Sequence, residues 1–414
     1  MTVQPAEHFS QQPASDIDFF DTEVAFSSRS DEELRRMRWL FRVMSSPRLV
    51  RWGSPLMLWA ARRRFSWLEP IIRRTIFSQF VGGTTLLDCA ANIERLAQYG
   101  VLTILDYGAE GKETEVDFNR TMNENLRAID FASRSAHIPV VSIKVTGLAR
   151  TGLLEHIQRS RSLGREELNE YRNALKRVDT ICHHATKKGV SVFVDAEESW
   201  IQDTIDHFVW LMMKRYNRER VVVYNTFQMY RTDRLQFLLD SFDRSRKEGF
   251  LLGAKLVRGA YMEKERERAA KMGYTDPISA DKQTVDDHYN AALSFCLEHI
   301  EHVALCNASH NAHSARLQIE RMRQKKISPQ HPHILFSQLF GMSDNLTFNL
   351  ARAGFRVAKY VPYGQVFEVI PYLIRRAQEN ASITGDVSRE LALIEQEYRR
   401  RKKERAEALR KARS

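Results

Sequence analysis

Cysteine is scarce in this chain of 414 residues: Cys89, Cys182, Cys296 and Cys306 are the only four, and no two form a Cys-x-x-Cys pair. That spacing speaks against a disulfide framework. The apolar or helical surroundings of each thiol predict reduced, buried cysteines of the cytosolic kind. There is no His-Glu-x-x-His string and no Cys/His set with ligand spacing, although His310 lies near His313 and His183 precedes His184. No metal site is expected on those criteria. Gly-x-Ser-x-Gly is also missing, which removes the nucleophile elbow of many hydrolases. No apolar run reaches the roughly 18 residues that a spanning helix needs. The opening MTVQPAEHFSQQPASDIDFF has no basic stretch followed by an apolar core, so a secretory signal is not expected there.

Acidic residues are outnumbered, and the net charge is +11. From Tyr398 to Ser414, nine Lys/Arg against two Asp/Glu leave +7 of that excess in the final helix. With the remainder taken as nearly balanced, the distribution argues against nucleic acid as a partner. The tail by itself reads as a solvated, partly frayed helix or as a contact with anionic lipid or nucleic acid.

Hydrophobic residues make up 43 % and charged residues 28 %, the balance of a soluble globular protein. Residues 1–30 are polar, with Pro and Ser, and are expected to be flexible. Residues 31–100 read as a helical region packing on the main domain. It opens at Asp31-Glu32-Glu33-Leu34, an N-cap with an acidic first turn. Trp39, Leu40, Val43, Trp59, Phe65 and Trp67 give it a large apolar surface, and the Leu56–Ala61 run is too short to span a bilayer.

After residue 100, β-branched apolar runs recur at Val101–Leu105, Val140–Val145, Val190–Val194, Val221–Phe227, Leu251–Val257, Val303–Cys306, Ile334–Phe336 and Phe355–Val361. Helical segments separate them, two of them long, Leu153–Lys188 and Glu263–His302. Strands alternating with helices predict a parallel sheet, and eight of them close naturally into a (β/α)8 barrel. An open doubly wound sheet is the other arrangement, but no Gly-rich dinucleotide loop follows any strand. The expected fold is therefore α/β. It is a distorted TIM-like (β/α)8 barrel over 101–385, with an N-terminal helical extension and a basic C-terminal helix over 386–414.

Such a barrel places its reactive groups at the C-terminal ends of the strands. The sequence has Asp106 after the first run, Lys144 near the second, Asp195 after the third and Gln228 after the fourth. Lys255, Arg258 and Tyr261 lie at the fifth, His310 and Asn311 after the sixth, Gln338 after the seventh and Tyr360 at the eighth. Lys144 interrupts an apolar strand in a sheet without edges, a costly place for an unpaired ammonium. Asp195 reads as its partner, as a proton-handling group, or as a helix N-cap. Glu197 and Glu198 fit the acidic first turn of the following helix. In KLVRGAY, Gly259 and Ala260 permit close backbone approach while Lys255 and Arg258 supply charge, a plausible cradle for a phosphorylated or flavin cofactor.

In YVPYGQVFEVIPYLIRRAQEN, Tyr372, Arg375, Arg376 and Glu379 fall within two turns of one helix. Two adjacent guanidiniums suit a small carboxylate, which a planar fork grips well, with Glu379 bracing one of them. The plainer reading is a solvated charged face.

Taken in order, VDAEES, FQMY, KLVRGAY, SHN, FSQLFGMSD and KYVPYGQVFEVIPYLIRRAQEN resemble the flavin-dependent proline dehydrogenases, monofunctional branch, from about Val101 to Ala381. The resemblance implies FAD at the strand ends and oxidation of L-proline to Δ1-pyrroline-5-carboxylate, the first step of proline catabolism. It further implies electron transfer to a membrane quinone, and hence a cytoplasmic enzyme peripheral to the inner face of the membrane. Lys144, Arg375 and Arg376 match the grip on the proline carboxylate. Tyr360, Tyr372 and Leu339 match the walls around the ring, while Tyr261 and Glu379 match groups that brace the arginines or close the pocket. Asp195 matches an aspartate that orders the site and bonds the tyrosine at the position of Tyr360. Val145, Gln228, Lys255, Arg258, Gly259, Ala260, Ser309 and His310 match the flavin contacts, with Lys255 near the reactive nitrogen, so that Asp195 and Lys255 are the expected catalytic pair.

The chain departs from the family pattern in three places. Lys255 stands where many members have Arg, Ser309 replaces a Thr while keeping the hydroxyl, and Gln365 replaces the Pro of the usual Tyr-Gly-Pro-Val turn. Other readings are a flavin barrel enzyme for hydroxyproline or pipecolate and, in a different class, a basic nucleic-acid or membrane-binding scaffold.

Overall fold

Val, Ile, Leu and Phe dominate eight short segments, and in the computed structural model each is a strand: β1 Leu102–Tyr107, β2 Val140–Ile143, β3 Ser191–Val194, β4 Val223–Gln228, β5 Leu252–Val257, β6 Val303–Ala308, β7 Ile334–Leu339 and β8 Val357–Tyr363. They close into one parallel barrel in sequence order. The structure describes residues 17–46, 48–53, 57, 63, 65, 67–108, 111–160, 162–381 and 386–412, without the side chains of 379–381 and 386–388.

Register fixes which strand ends lie side by side. Asp106 pairs with Ser142 between β1 and β2, and Thr226 with Lys255 between β4 and β5. At Gly253 an added Cβ would stand 2.3 Å from the Val223 carbonyl oxygen, so only glycine lets β5 lie against β4 there.

The strands sit within two or three residues of the apolar runs that predict them. The two long helices are each broken in two. The first is Thr151–Arg159 and Arg165–Lys188, parted at Gly164, whose extended backbone caps the second piece. The other is Met262–Met272 and Lys282–Glu298, ended by left-handed Gly273 and restarted at Asp281. Gly and Pro within GYTDPISAD stop that helix locally.

The chain divides into two compact units, 102–337 and 1–101 together with 338–414. In the first, the strands bury Val141, Val192, Phe193, Phe227, Leu256 and Leu305. Each fully buried side chain of that size contributes roughly 1.5–3 kcal/mol. In the second, Phe26, Phe41, Phe77, Phe80, Leu373 and Ile394 share one apolar cluster. Residues 17–30, expected to be flexible, are instead ordered around the helix Thr22–Ala25, with Phe19 and Phe26 buried. Two aromatic side chains outweigh the polar surroundings that suggest disorder. The helix Asp31–Met44 is capped by Ser30 rather than Asp31, in a reciprocal box with Glu33. The Leu56–Ala61 run lies outside the described residues save Met57.

Candidate active site

Within the 102–337 unit the strand ends carry an alternating chain of charge. Lys144, one residue beyond β2, donates to both carboxylate oxygens of Asp106 at 2.9 Å. Its ammonium also lies 3.5 Å from Asp195, one residue beyond β3. Lys255 on β5 donates to Asp195 at 2.6 Å, and the Ser142 hydroxyl donates to the same oxygen at 2.9 Å. Asp106 and Lys255 are buried. Two carboxylates and two ammoniums therefore neutralise one another where solvent is scarce, the condition under which buried charge is tolerated. The next helix is capped at Glu198, so Asp195 is not its N-cap. Glu197, expected in that helix's first turn, is buried before it. Its carboxylate accepts from the backbone and hydroxyl of Thr146, and its carbonyl accepts from the Gln228 amide at 2.7 Å. Glu197 thereby ties the turn that begins at Val145 to the end of β4.

A second constellation follows β5 and β6. The Arg258 guanidinium donates to Asp286 at 2.7 Å, to Ser309 at 2.8 Å and to Ser314 at 3.0 Å, and lies over the Tyr289 ring. Burial raises the Asp286 carboxyl, but Lys282 and Arg258 outweigh it and hold the group below the usual carboxylate range. Gly259 has φ +140°, and an added Cβ would lie 2.5 Å from the Tyr230 ring. Glycine is required there by a protein neighbour as well as by any ligand. Ala260 is exposed, Tyr261 opens the helix Met262–Met272, and His310 sits half-buried two residues past β6. Cys306 on β6 is no nucleophile: burial pushes its thiol up to about 12.

In the other unit, Leu339 ends β7 and Tyr360 lies buried on β8. The helix Ile370–Ala381 carries Tyr372, Arg375 and Arg376. Arg376 is only 5 % exposed and stacks over Tyr372 at 5.2 Å, so this is not a solvated face. The Glu379 side chain lies outside the described residues. Among the described residues, no group of three or more His, Cys, Asp or Glu is placed to hold a metal ion.

The family model for proline dehydrogenase matches residues 89–389, a span that contains all eight strands and every site residue named above. The chain belongs to the proline dehydrogenase family. The mitochondrial proline dehydrogenase 1 of Caenorhabditis elegans is 40 % identical over 343 residues, 80 % of this chain and 55 % of that protein. The hydroxyproline dehydrogenase of Xenopus laevis is 31 % identical over 416 residues, 91 % of this chain and 88 % of that protein. Matches to the mitochondrial proteins of Dictyostelium discoideum and Drosophila melanogaster span 66 % and 36 % of their lengths. Proline utilization A from Bdellovibrio bacteriovorus superposes with a TM-score of 0.68 at 17 % identity, over 89 % of this chain and 40 % of that one, a likeness of fold.

Sequence reasoning about this proline dehydrogenase family member singles out Lys144, Asp195 and Lys255, which the structure brings together. It misses Asp106 and Ser142 as their partners and Glu197 as a brace. The position of Asp106 at a strand end is the signal that was available. The tail helix Asp386–Lys411 is tied down rather than frayed as far as Arg401. Buried Glu397 accepts from Thr22, Arg400 and Arg401, and Arg401 also reaches Asp31 and two backbone carbonyls. Among the described residues no helix is long and apolar enough to cross a membrane.

Proposed function

We propose that this chain oxidises L-proline to Δ1-pyrroline-5-carboxylate, with FAD as its cofactor and a membrane quinone as the final acceptor, working peripherally at the membrane. The observation that carries the reading is the family match over residues 89–389, because it takes in both the basic strand ends and the paired arginines. The donor set fits a flavin dinucleotide. A guanidinium, Arg258, stands beside the Ser309 hydroxyl and next to a glycine whose Cα has no room for a side chain, groups suited to a pyrophosphate. Val145, Gln228, Ala260 and His310 would complete the cradle. FAD, when bound, supplies the acceptor for the hydride that leaves the ring carbon next to nitrogen.

The chain's own residues orient the substrate. Arg375, Arg376 and Lys144 hold the carboxylate, and Tyr360, Tyr372 and Leu339 wall the ring, with Tyr261 and Glu379 closing the pocket. Fixing both ends of a small ring leaves one carbon in position, and this positioning lowers the barrier. Asp195 fixes the Lys255 ammonium, which would place a positive charge beside a bound flavin. The substrate nitrogen must be unprotonated to expel hydride, so turnover rises with pH.

A second reading is favoured by the near-full-length match to hydroxyproline dehydrogenases. Pipecolate is a further cyclic amine to compare. Anaerobic absorption spectra of the purified protein test both. Bleaching of the flavin band by L-proline at lower concentration than by hydroxyproline supports proline as substrate. The reverse order supports the second reading, and a protein that takes up no FAD ends both.

A further inference from the structure

The charge of the chain outside its tail is not evenly spread. From Leu34 to Phe80 there are eleven arginines, no lysine and one acidic residue, Glu69, which leaves a net of +10. The same stretch holds four of the six tryptophans. Such a stretch could be core, solvated face or contact surface, and its placement decides. The helix Asp31–Met44 buries Leu34, Met37, Leu40, Phe41 and Met44. Its outer face carries Arg35, Arg36, Trp39 and Arg42 at spacings of three and four residues. Trp39 is 57 %, Trp52 79 % and Trp67 65 % exposed, and Leu49 and Ile71 are exposed as well. Arg35, Arg48, Arg51, Arg73 and Arg74 are exposed and form no ion pair among the described residues. Arg36 and Arg42 pair with Glu32 and Glu395, as Arg400, Arg401 and Arg405 of the tail pair with carboxylates of their own unit.

We propose that the exposed arginines and apolar side chains within residues 35–74 form a docking surface for an anionic lipid bilayer. Guanidiniums bind lipid phosphates through their forked donors. Indole rings settle at the headgroup level, where one edge meets water and the other hydrocarbon. Leucine and isoleucine gain by entering the acyl boundary. Nucleic acid would also use arginine and tryptophan, but aliphatic side chains at more than half exposure add nothing to phosphate contact or base stacking. The surface follows from charge and exposure alone. It deepens the proposed function, on which it rests only for its purpose, by giving the route to a quinone a membrane face.

The test is co-sedimentation of the full chain with vesicles of phosphatidylglycerol in phosphatidylcholine, without substrate. The combined variant Arg48→Glu, Arg51→Glu, Trp52→Ser is compared with the tail variant Lys402→Glu, Arg410→Glu, all at exposed positions. The first should lose more than about tenfold in vesicle affinity, since two basic contacts are reversed. The second should stay within about twofold of the parent. Parent binding should weaken with salt and vanish on pure phosphatidylcholine. Equal binding by the first variant, or loss confined to the second, overturns the proposal. So does a parent that binds duplex DNA but not vesicles, or neither. L-proline-dependent reduction of a soluble dye, read separately on the same samples, reports on the proposed reaction, so failure of one reading is distinguishable from failure of the other.

Discussion

Lys255 and Lys359 are both buried lysines on barrel strands, one in each unit, and their surroundings differ in a way that separates fold from function. Lys359 on β8 is ion-paired with Asp344 at 2.7 Å and donates to the carbonyls of Met342 and Leu339 at 2.5 and 3.4 Å. Asp344 also takes Arg29 at 3.1 Å, and Glu390 beside it accepts from the Ser343 backbone at 2.8 Å. Arg29 and Glu390 are far apart in sequence, and this network ties both to the segment after β7. The Lys359 ammonium is enclosed by one carboxylate and two carbonyls of its own unit, which makes it a sealed structural knot. The Asp106–Lys144–Asp195–Lys255 chain has the same inventory of two cations and two carboxylates. It lies instead at strand ends, with the Asp195 side chain still 14 % exposed, where a ligand can reach it. The same chemistry therefore holds one unit together and, on the proposed function, equips the other.

The largest expected effect concerns pH and the sealed network. Burial, reinforced by the Asp344 carboxylate, pushes Glu390 up to about 7 from 4.5. Its folded-state value is raised, so the unfolded chain releases this proton first as pH climbs. Stability falls between about pH 4.5 and 7 and then levels, by at most about 3 kcal/mol. Asp344 behaves oppositely. Burial opposes its ionisation, but Lys359 and Arg29 hold it low, so its contribution is present at neutral pH and is lost only in acid below about pH 4. Glu390→Gln should therefore stabilise the protein at pH 8 and leave it near the parent at pH 5, as read by denaturant melts at each pH. Equal melts at pH 8 would show that the sealed network does not carry this strain.

Next in size are the arginines. Arg375→Met and Arg376→Met should each raise KM for L-proline by ~10²-fold, the loss of a charge-assisted contact worth about 2–3 kcal/mol. Unchanged KM in both would return the pair to a structural role beside Tyr372. A smaller effect is expected at Asp106, which positions Lys144. Asp106→Asn keeps the shape but removes the charge, and should raise KM about tenfold with kcat near that of the parent. A fall in kcat at constant KM would instead place the strand-end chain in the chemical step.

The barrel is legible in the sequence because each strand is a compact β-branched run, and those runs need no tertiary information. The breaks at Gly164 and Gly273 are missed by the apolar pattern, which runs through both places, although glycine marks each of them locally. The sealed network is not legible. Arg29 and Asp344 are 315 residues apart, and nothing local marks them as partners. Asp106 and Lys144 meet only once the β1–β2 register is known. The arginine excess before residue 80 is countable by eye, yet acidic residues elsewhere offset about half of it in the whole-chain sum of +11. Ser30, rather than Asp31, caps the first long helix because its hydroxyl reaches the Glu33 amide, a choice that spacing alone leaves open.

The most direct test of the separation is one paired measurement on Asp195→Asn and Asp344→Asn, the same substitution in the two networks. Thermal melting and proline turnover are read on the same preparations of each. On the proposed function, Asp195→Asn should lose ~10²-fold in kcat while melting closer to the parent than Asp344→Asn does, because its side chain is 14 % exposed and water can reach the Lys255 ammonium once the charge is gone. Asp344→Asn should lower Tm by several degrees, since Lys359 and Arg29 lose their shared buried counter-charge, while the enzyme that remains folded turns over normally. The reverse pattern, or equal losses of Tm and kcat in both variants, would contradict the division of labour between the two units.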